Sequence, residues 1–394
     1  MRPSPLYWRL SSFYLFYFGT LGALVPYWGL YLKGLGFGPA QIGELMAIVL
    51  GTKVIAPNLW GWIADRRGTR MPIVRFASLL AAVTFTGVFV ASGYWWLAAV
   101  MSVFSFFWNA ALPQFEANTL SHLGDRVARY TQIRVWGSVG FIAVVSGLGL
   151  VLDTYGVALL PWVLLALMTG IWVSTVQVPE QPVAPHAESH APIARVLRQP
   201  AVAALLAACF LIQLSHGPYY AFYSIYLEDH GYSRTLIGQL WALGVVAEVV
   251  LFLMMHTLIH RYGLRALFLA TFALTTLRWV LIGLFPEHLP VLLAAQLLHA
   301  ASFGIYHAVA IQLIHRFFRG RHQGRGQALY SSLSFGAGGA VGSLLAGYAW
   351  DGVGPLYTYL GAAAASGIGL ITVWRWIDGA EVRRRDPTAL ERSP

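Results

Sequence analysis

Apolar residues occur in this chain in runs far longer than a soluble core needs, and polar residues collect in short breaks between them. About 20 consecutive apolar residues cross a hydrocarbon layer as a helix, and runs of that length recur along the whole chain. Their lengths and breaks predict helices over 10–32, 40–64, 71–92, 95–120, 132–152 and 156–176. A second set follows over 201–227, 235–259, 265–285, 289–314, 325–350 and 354–377. Between the sets, QVPEQPVAPHAESHAPIARVLRQP (177–200) is too rich in proline and polar residues to cross and reads as a linker. The expected organisation is a six-helix bundle over 1–176, the linker, a second six-helix bundle over 201–377, and a tail over 378–394.

Composition agrees with an all-α integral membrane protein. Hydrophobic residues make up 57% and charged residues only 11%, against about 25% charged in a soluble domain. The net charge of +10 would suggest a nucleic-acid partner in a soluble protein. Here the arginines alternate with the runs instead. Arg66, Arg67 and Arg70, then Arg126 and Arg129, then Arg195 and Arg198 mark one side. Arg261 and Arg265, then Arg316, Arg319, Arg321 and Arg325, then Arg383, Arg384 and Arg385 continue it. Only Lys33 and Arg234 fall opposite. The positive-inside rule places the arginine side and both termini in the cytoplasm, and no nucleic-acid partner is expected. The first apolar run lacks a small-residue cleavage site and reads as a retained helix. The one cysteine, Cys209, excludes a disulfide framework or a multi-cysteine metal site. No cofactor or metal is expected, and the expected state is a monomer in the lipid bilayer.

The two sets of helices are copies of each other. GFGPAQIGEL (36–45) matches GYSRTLIGQL (231–240), PYWGLYL (26–32) matches AFYSIYL (221–227), and DRRGTR (65–70) matches HRYGLR (260–265), all at an offset of 195. GLVLDTYG (149–156) matches GYAWDGVG (347–354) at 198. Parallel six-helix repeats are the plan of major facilitator transporters. GWIADRRGTR (61–70) resembles that superfamily's signature between its second and third helices, through Gly61, Asp65, Arg66, Gly68 and Arg70. Gly61 permits a close helix approach and Gly68 a tight turn. Asp65 can meet a helix N-terminus or an arginine. The resemblance implies a conformational latch there; a plain positive-inside loop is the simpler reading. The second copy has His256 and His260 in place of the glycine and the acid, which makes a weaker latch.

Ionisable residues inside the runs are the functional candidates, because each costs roughly 2.5–3.5 kcal/mol at mid-bilayer unless paired or hydrated. Lys53 and Glu248 stand mid-helix at equivalent places of the two halves, 195 apart. Arg278 lies in predicted helix 9, His299 and His307 in helix 10. Glu248, Arg278 and His299 belong to consecutive helices and can meet. A carboxylate poised between burial and a cation can take and release a proton, and a histidine titrates near neutral pH. A permanent Glu–Arg pair that only joins helices is the other reading, as is an interhelical hydrogen bond for the histidines. Glu116 and Arg134 can face each other across helices 4 and 5, unless Arg134 snorkels to solvent. Lys53 has no acid in its own helix apart from Glu44. Polar and aromatic residues also gather on helices 1, 4, 7 and 10. Trp28, Asn109, Gln213, His216, Tyr220 and Tyr223 are the substrate candidates, against a belt or packing role for any one of them. Gly338 and Gly342 form a G-x-x-x-G step for tight helix contact.

QLSHGPYYAFYSIY (213–226), LWALGVVAEVVLF (240–252), TLRWVLIG (276–283) and QLLHAASFGIYHA (296–308) resemble the phenylpropionate permease branch of the superfamily. That branch is related to the lactose permease and the nucleoside–proton symporters, and the likeness covers nearly the whole chain. It implies that Glu116 and Arg134 stand where an acid–arginine pair recognises sugar in the lactose permease pattern. It also implies that Arg278 and His299 belong to a proton-coupling network. The acid one turn beyond the histidine in that network is Ser302 here, and Glu248 falls about one turn from the helix 8 acid. These departures argue against sugar and leave Glu248 as the proton carrier.

The expected function is proton-coupled symport of a small aromatic carboxylate such as phenylpropionate, by alternating access. Aromatic walls would hold the ring, and Lys53 or Arg134 the carboxylate. A sugar or nucleoside symporter is the second reading, and efflux of a drug or metabolite the third. A membrane enzyme would show a nucleophile with its base or a metal-ligand cluster, and a sensor would carry a soluble output domain. Neither feature is present in the sequence.

Overall fold

The computed structural model describes residues 5–181, 193–319 and 322–378. Part of the expected linker, Arg321, and the tail with Arg383, Arg384 and Arg385 lie outside the described residues. Ten helices are long and apolar enough to cross a membrane. They are α1 (Pro5–Gly34), α2 (Pro39–Arg67), α3 (Met71–Phe89), α4 (Tyr94–Leu123), α5 (Tyr130–Tyr155), α6 (Val157–Val176), α7 (Pro200–Asp229), the stretch Arg234–Leu284, α10 (Leu289–Phe317) and α12 (Pro355–Trp376). The stretch Arg234–Leu284 breaks at Gly263, where φ is 75°, which makes it two spans, α8 (234–262) and α9 (264–284). Helical turns over 323–352 supply α11. Twelve spans result among the described residues, with ends close to those the apolar runs predict.

The chain reverses where it does for local reasons. Proline stands in the first turn of α2, α3, α7, α10 and α12, where its missing N–H costs nothing. Seven glycines among the described residues have positive φ, and six of them form repeat pairs: Gly36 with Gly231, Gly68 with Gly263, Gly156 with Gly354. The two copies therefore reverse direction by the same backbone device. Large apolar side chains face outward, among them Ile55, Leu253, Ile371 and Trp374. In water such exposure would be unfavourable; in lipid it is the expected outer surface. Exposed Trp95, Tyr155, Tyr357 and Trp374 stand near helix ends, where an aromatic belt belongs.

By packing, the described chain forms two compact units. The first comprises 5–181 with Tyr219–Ala242, the second 193–218 with 243–378. Residues 219–242, the end of α7 with the turn and the start of α8, pack with the first unit. In the first unit α1 lies against α5 and α6, α3 against α4 and α6, and α2 against α4. A Cβ added at Gly22 would stand 2.8 Å from the Phe141 carbonyl oxygen, and one at Gly140 would overlap that of Leu15. In the second unit α7 lies against α11 and α12. A Cβ at Gly338 would stand 2.7 Å from the Phe210 oxygen, while Gly217 and Gly342 bring α7 and α11 backbone to backbone. Gly22 and Gly217 are repeat partners at 195, Gly140 and Gly338 at 198. The same glycine-lined helix crossing is thus built twice. The G-x-x-x-G step has α7 as its partner.

Candidate functional site

The first unit builds its polar site on α1, α4 and α5. Arg134 Nε lies 3.6 Å from Glu116 Oε1, each side chain about one-third exposed (31% and 33%). Tyr130 donates to the same carboxylate oxygen at 2.9 Å, and the Arg134 guanidinium sits 3.8 Å over the Phe18 ring. The pair therefore forms, and Phe18 holds the arginine inward. Beside it runs an aromatic column in which Phe13 stacks on Phe115 and Tyr17 on Trp108. Asn109 has its own task. Its amide donates to Thr52 Oγ1 at 2.8 Å and to the Val49 carbonyl at 3.1 Å, tying α4 to α2. Trp28 is buried, with its indole N–H on Met101 Sδ at 3.4 Å. Asn109 and Trp28 are thus occupied by packing partners.

Lys53 follows Thr52 on α2. It is half-buried, with no hydrogen bond or ion pair to any described residue. Glu44 accepts instead from Tyr94, at 2.5 Å. Trp108 and Gln114, which the sequence places with Asn109 on helix 4, stand out in this unit. The Trp108 indole nitrogen and the Gln114 carbonyl oxygen are buried without a hydrogen-bond partner among the described residues. Buried polar groups normally find partners, so these two are what a bound molecule could satisfy.

The loop motif forms a compact knot. Arg70 Nη2 lies 3.3 Å from Asp65, Gly68 closes α2 through its N–H to the Ala64 carbonyl, and Arg66 lies over the Trp62 ring. A Cβ on Gly61 would stand 3.4 Å from Gln114 Nε2, an ordinary contact with the end of a side chain. Glu180, which the sequence reading missed, completes the knot. Its carboxylate accepts from the Arg70 and Met71 N–H groups at 2.7–3.1 Å, capping α3. An acid inside a proline-rich segment offers no periodicity by which to find it.

The second unit gathers its ionisable residues around α10. His299 Nε2 is 3.8 Å from Glu248 Oε2. Both are mostly buried. Gly244 and Gly304 make room for them, since a Cβ at either would press on His299 or on Glu248 at 3.2 Å. Arg278 is fully buried. It donates to the Ala295 carbonyl at 3.0 Å, Ser302 Oγ at 3.1 Å and Gln296 Oε1 at 3.2 Å, and its guanidinium lies 4.6 Å from the Trp279 ring centre. Thus Glu248 meets the histidine, and the arginine donates to Ala295, Gln296 and Ser302 of α10. Gln296 is a second residue that sequence reasoning missed. Ser302 takes the arginine at the place where the lactose permease pattern has an acid.

His299, Phe303 and His307 stack in a ladder along α10, and His307 Nδ1 reaches the Tyr330 hydroxyl at 3.1 Å. The ladder spans Ala300–Ile305, a π-helical stretch, and faces a second one at Ser332–Gly338 in α11. Such bulges mark functional segments in many helices. His216 places Nδ1 2.7 Å from its own Ile212 carbonyl and packs edge-on against Trp279. Gln213 is buried beside it on α7. Tyr220 and Tyr223 lie beyond His216 in the part of α7 that belongs to the first unit, Tyr223 edge-on to Trp241.

Membrane-spanning helices in a twofold repeat, with paired charges inside them, define a membrane transporter. Residues 7–361 match the model of the MFS_1 like family, and the chain belongs to that family of major facilitator transporters. It is 31% identical over 362 residues to a probable 3-phenylpropionic acid transporter of Escherichia coli, covering 89% of this chain and 91% of that one. It is 28% identical to a maltose permease of Geobacillus stearothermophilus, covering 90% and 91%. A solved nucleoside transporter shares the fold with a TM-score of 0.84 at 15% identity over 95% of this chain and 100% of that one. A solved POT family transporter shares it with a TM-score of 0.78 at 12% identity over 98% and 99%. The chain is a secondary transporter and not an enzyme.

Proposed function

We propose that the chain is a proton-coupled symporter of a small aromatic carboxylate such as phenylpropionate. It works as a monomer by alternating access in the bacterial inner membrane, with both termini cytoplasmic. The observation that carries the coupling is Glu248 facing His299 at 3.8 Å in a mostly buried place. At that distance a carboxylate and a protonated imidazole attract each other, so a proton gained or lost by either changes the charge of the pair. Arg278, immobilised on α10, fixes the charge beside them, and His307 extends the ladder. An acidic substrate is supported by Lys53, a cation within the membrane span that meets no acid among the described residues. The stacked Tyr17 and Trp108 supply aromatic surface in the same unit. The E. coli relative's name agrees with this substrate class. Gln213, His216, Tyr220 and Tyr223 contribute further polar and aromatic contacts in this reading, and Gly61, Asp65, Arg66, Gly68 and Arg70 serve gating.

A sugar is the second reading. The partly exposed Glu116–Arg134 pair and the maltose permease relative favour it. Thermal shift of the purified protein separates the two. The expected result is a rise of a few degrees with 3-phenylpropionate, no rise with its amide or with maltose, and loss of the rise in Lys53→Met. A rise with maltose alone would replace this reading by the second.

A further inference from the structure

The connections α1–α2, α5–α6 and α7–α8 lie at the end of the first unit away from the arginine-rich loops, and there α5 grips the start of α8. Asp153, near the end of α5, accepts three hydrogen bonds: from the Arg234 N–H at 2.9 Å, the Thr235 N–H at 2.8 Å and the Thr235 hydroxyl at 2.5 Å. Arg234 returns the contact, donating to the Leu152 carbonyl at 2.9 Å and to Glu228. Lys33 pairs with Glu228 at 3.4 Å and with Asp229. One layer deeper, Tyr27 donates to the Val145 carbonyl at 2.7 Å. Gly149 and Gly238 make this layer possible, since a Cβ at Gly238 would overlap the Val145 oxygen and one at Gly149 would stand 2.5 Å from that of Arg234.

The repeat supplies an internal control. Asp153 corresponds to Asp351, Gly149 to Gly347 and Gly238 to Gly43. A second latch would need Asp351 to hold the start of α2. There the donors have been lost: Pro39 stands in place of Arg234 and has no N–H, and Ala40 stands in place of Thr235 and has no hydroxyl. The Gly38 N–H is already bonded to Gln41 at 3.2 Å. Asp351 is exposed and has no hydrogen bond or ion pair among the described residues. The acid and the glycines are thus present twice, and their partners once.

The geometry points to a one-sided gate: Asp153 is the positioning residue that keeps the α5–α8 seam of this end shut, and no equal latch acts through Asp351. Carboxylate bonds to N–H groups at a helix start are among the stronger hydrogen bonds, so release of Asp153 must accompany each opening of the seam. The inference does not depend on which substrate is carried.

The test uses a reporter cysteine at Val145, fully buried in the seam, in a Cys209→Ser background, with the full-length protein in lipid nanodiscs and N-ethylmaleimide as probe. Asp153→Asn should raise the labelling rate about tenfold, the loss of one strong contact, while Asp351→Asn leaves it within about twofold. Thr235→Val, which removes only the hydroxyl bond, should give a smaller rise of about threefold and serves if Asp153→Asn melts early. Equal rates for Asp153→Asn and Asp351→Asn, or no rise in either latch variant, would overturn the gate.

Discussion

In the proposed coupling, Glu248 is the residue that decides between a transporter that is coupled and one that merely equilibrates. Neutralising it with Gln keeps the shape and the packing against Gly304 but removes the carboxylate proposed to take the proton. In proteoliposomes, Glu248→Gln should abolish accumulation driven by a pH gradient and leave substrate exchange intact; retained accumulation would exclude it from coupling. The sequence marked Glu248, His299 and Arg278 as a cluster because buried charges are rare and expensive. The structure sets the acid near His299 and holds Arg278 on Ala295, Gln296 and Ser302. A helix periodicity argument carries a fixed phase of 3.6 residues per turn. The π turns over Ala300–Ile305 change that phase, so facing could not be read across them. Asn109 and Trp28 illustrate another limit: polarity and size in the sequence do not tell a binding group from one already bonded to a neighbouring helix.

At the scale of elements, the glycines decide how closely helices cross. Gly342 brings α11 onto the Leu214 backbone of α7, whereas Gly367 in α12 has open space around its Cβ position. Gly342→Ala should therefore lower the melting temperature by several degrees, as overpacking costs about 1–3 kcal/mol, and Gly367→Ala should not lower it. Equal melting temperatures would mean that the α7–α11 crossing yields to a methyl group. Helix limits were legible because hydropathy, proline and glycine act locally, and the ends agree to within a few residues. The Glu180 cap on α3 was not legible, since it joins residues 110 apart through backbone N–H groups that carry no sequence signal.

For the whole molecule, the repeat was the most informative feature in the sequence, and in the structure it is written in reversing glycines, in helix crossings and in the unequal fates of Asp153 and Asp351. What pattern matching could not show is the packing of 219–242 with the first unit, because that depends on contacts and not on homology between halves. Burial of Arg278 has a further consequence, for how the protein is made. The ribosome delivers α9 before α10, yet every acceptor described above for the Arg278 guanidinium lies on α10. Alone, α9 would enter the bilayer with a mid-helix arginine at a cost of roughly 2.5–3.5 kcal/mol. Membrane insertion of α9 should then be incomplete in a chain ending at Glu287 and complete once α10 follows, as a glycosylation reporter placed after each helix would read. On that expectation the helix hairpin, not the single helix, would be the unit that enters the membrane there.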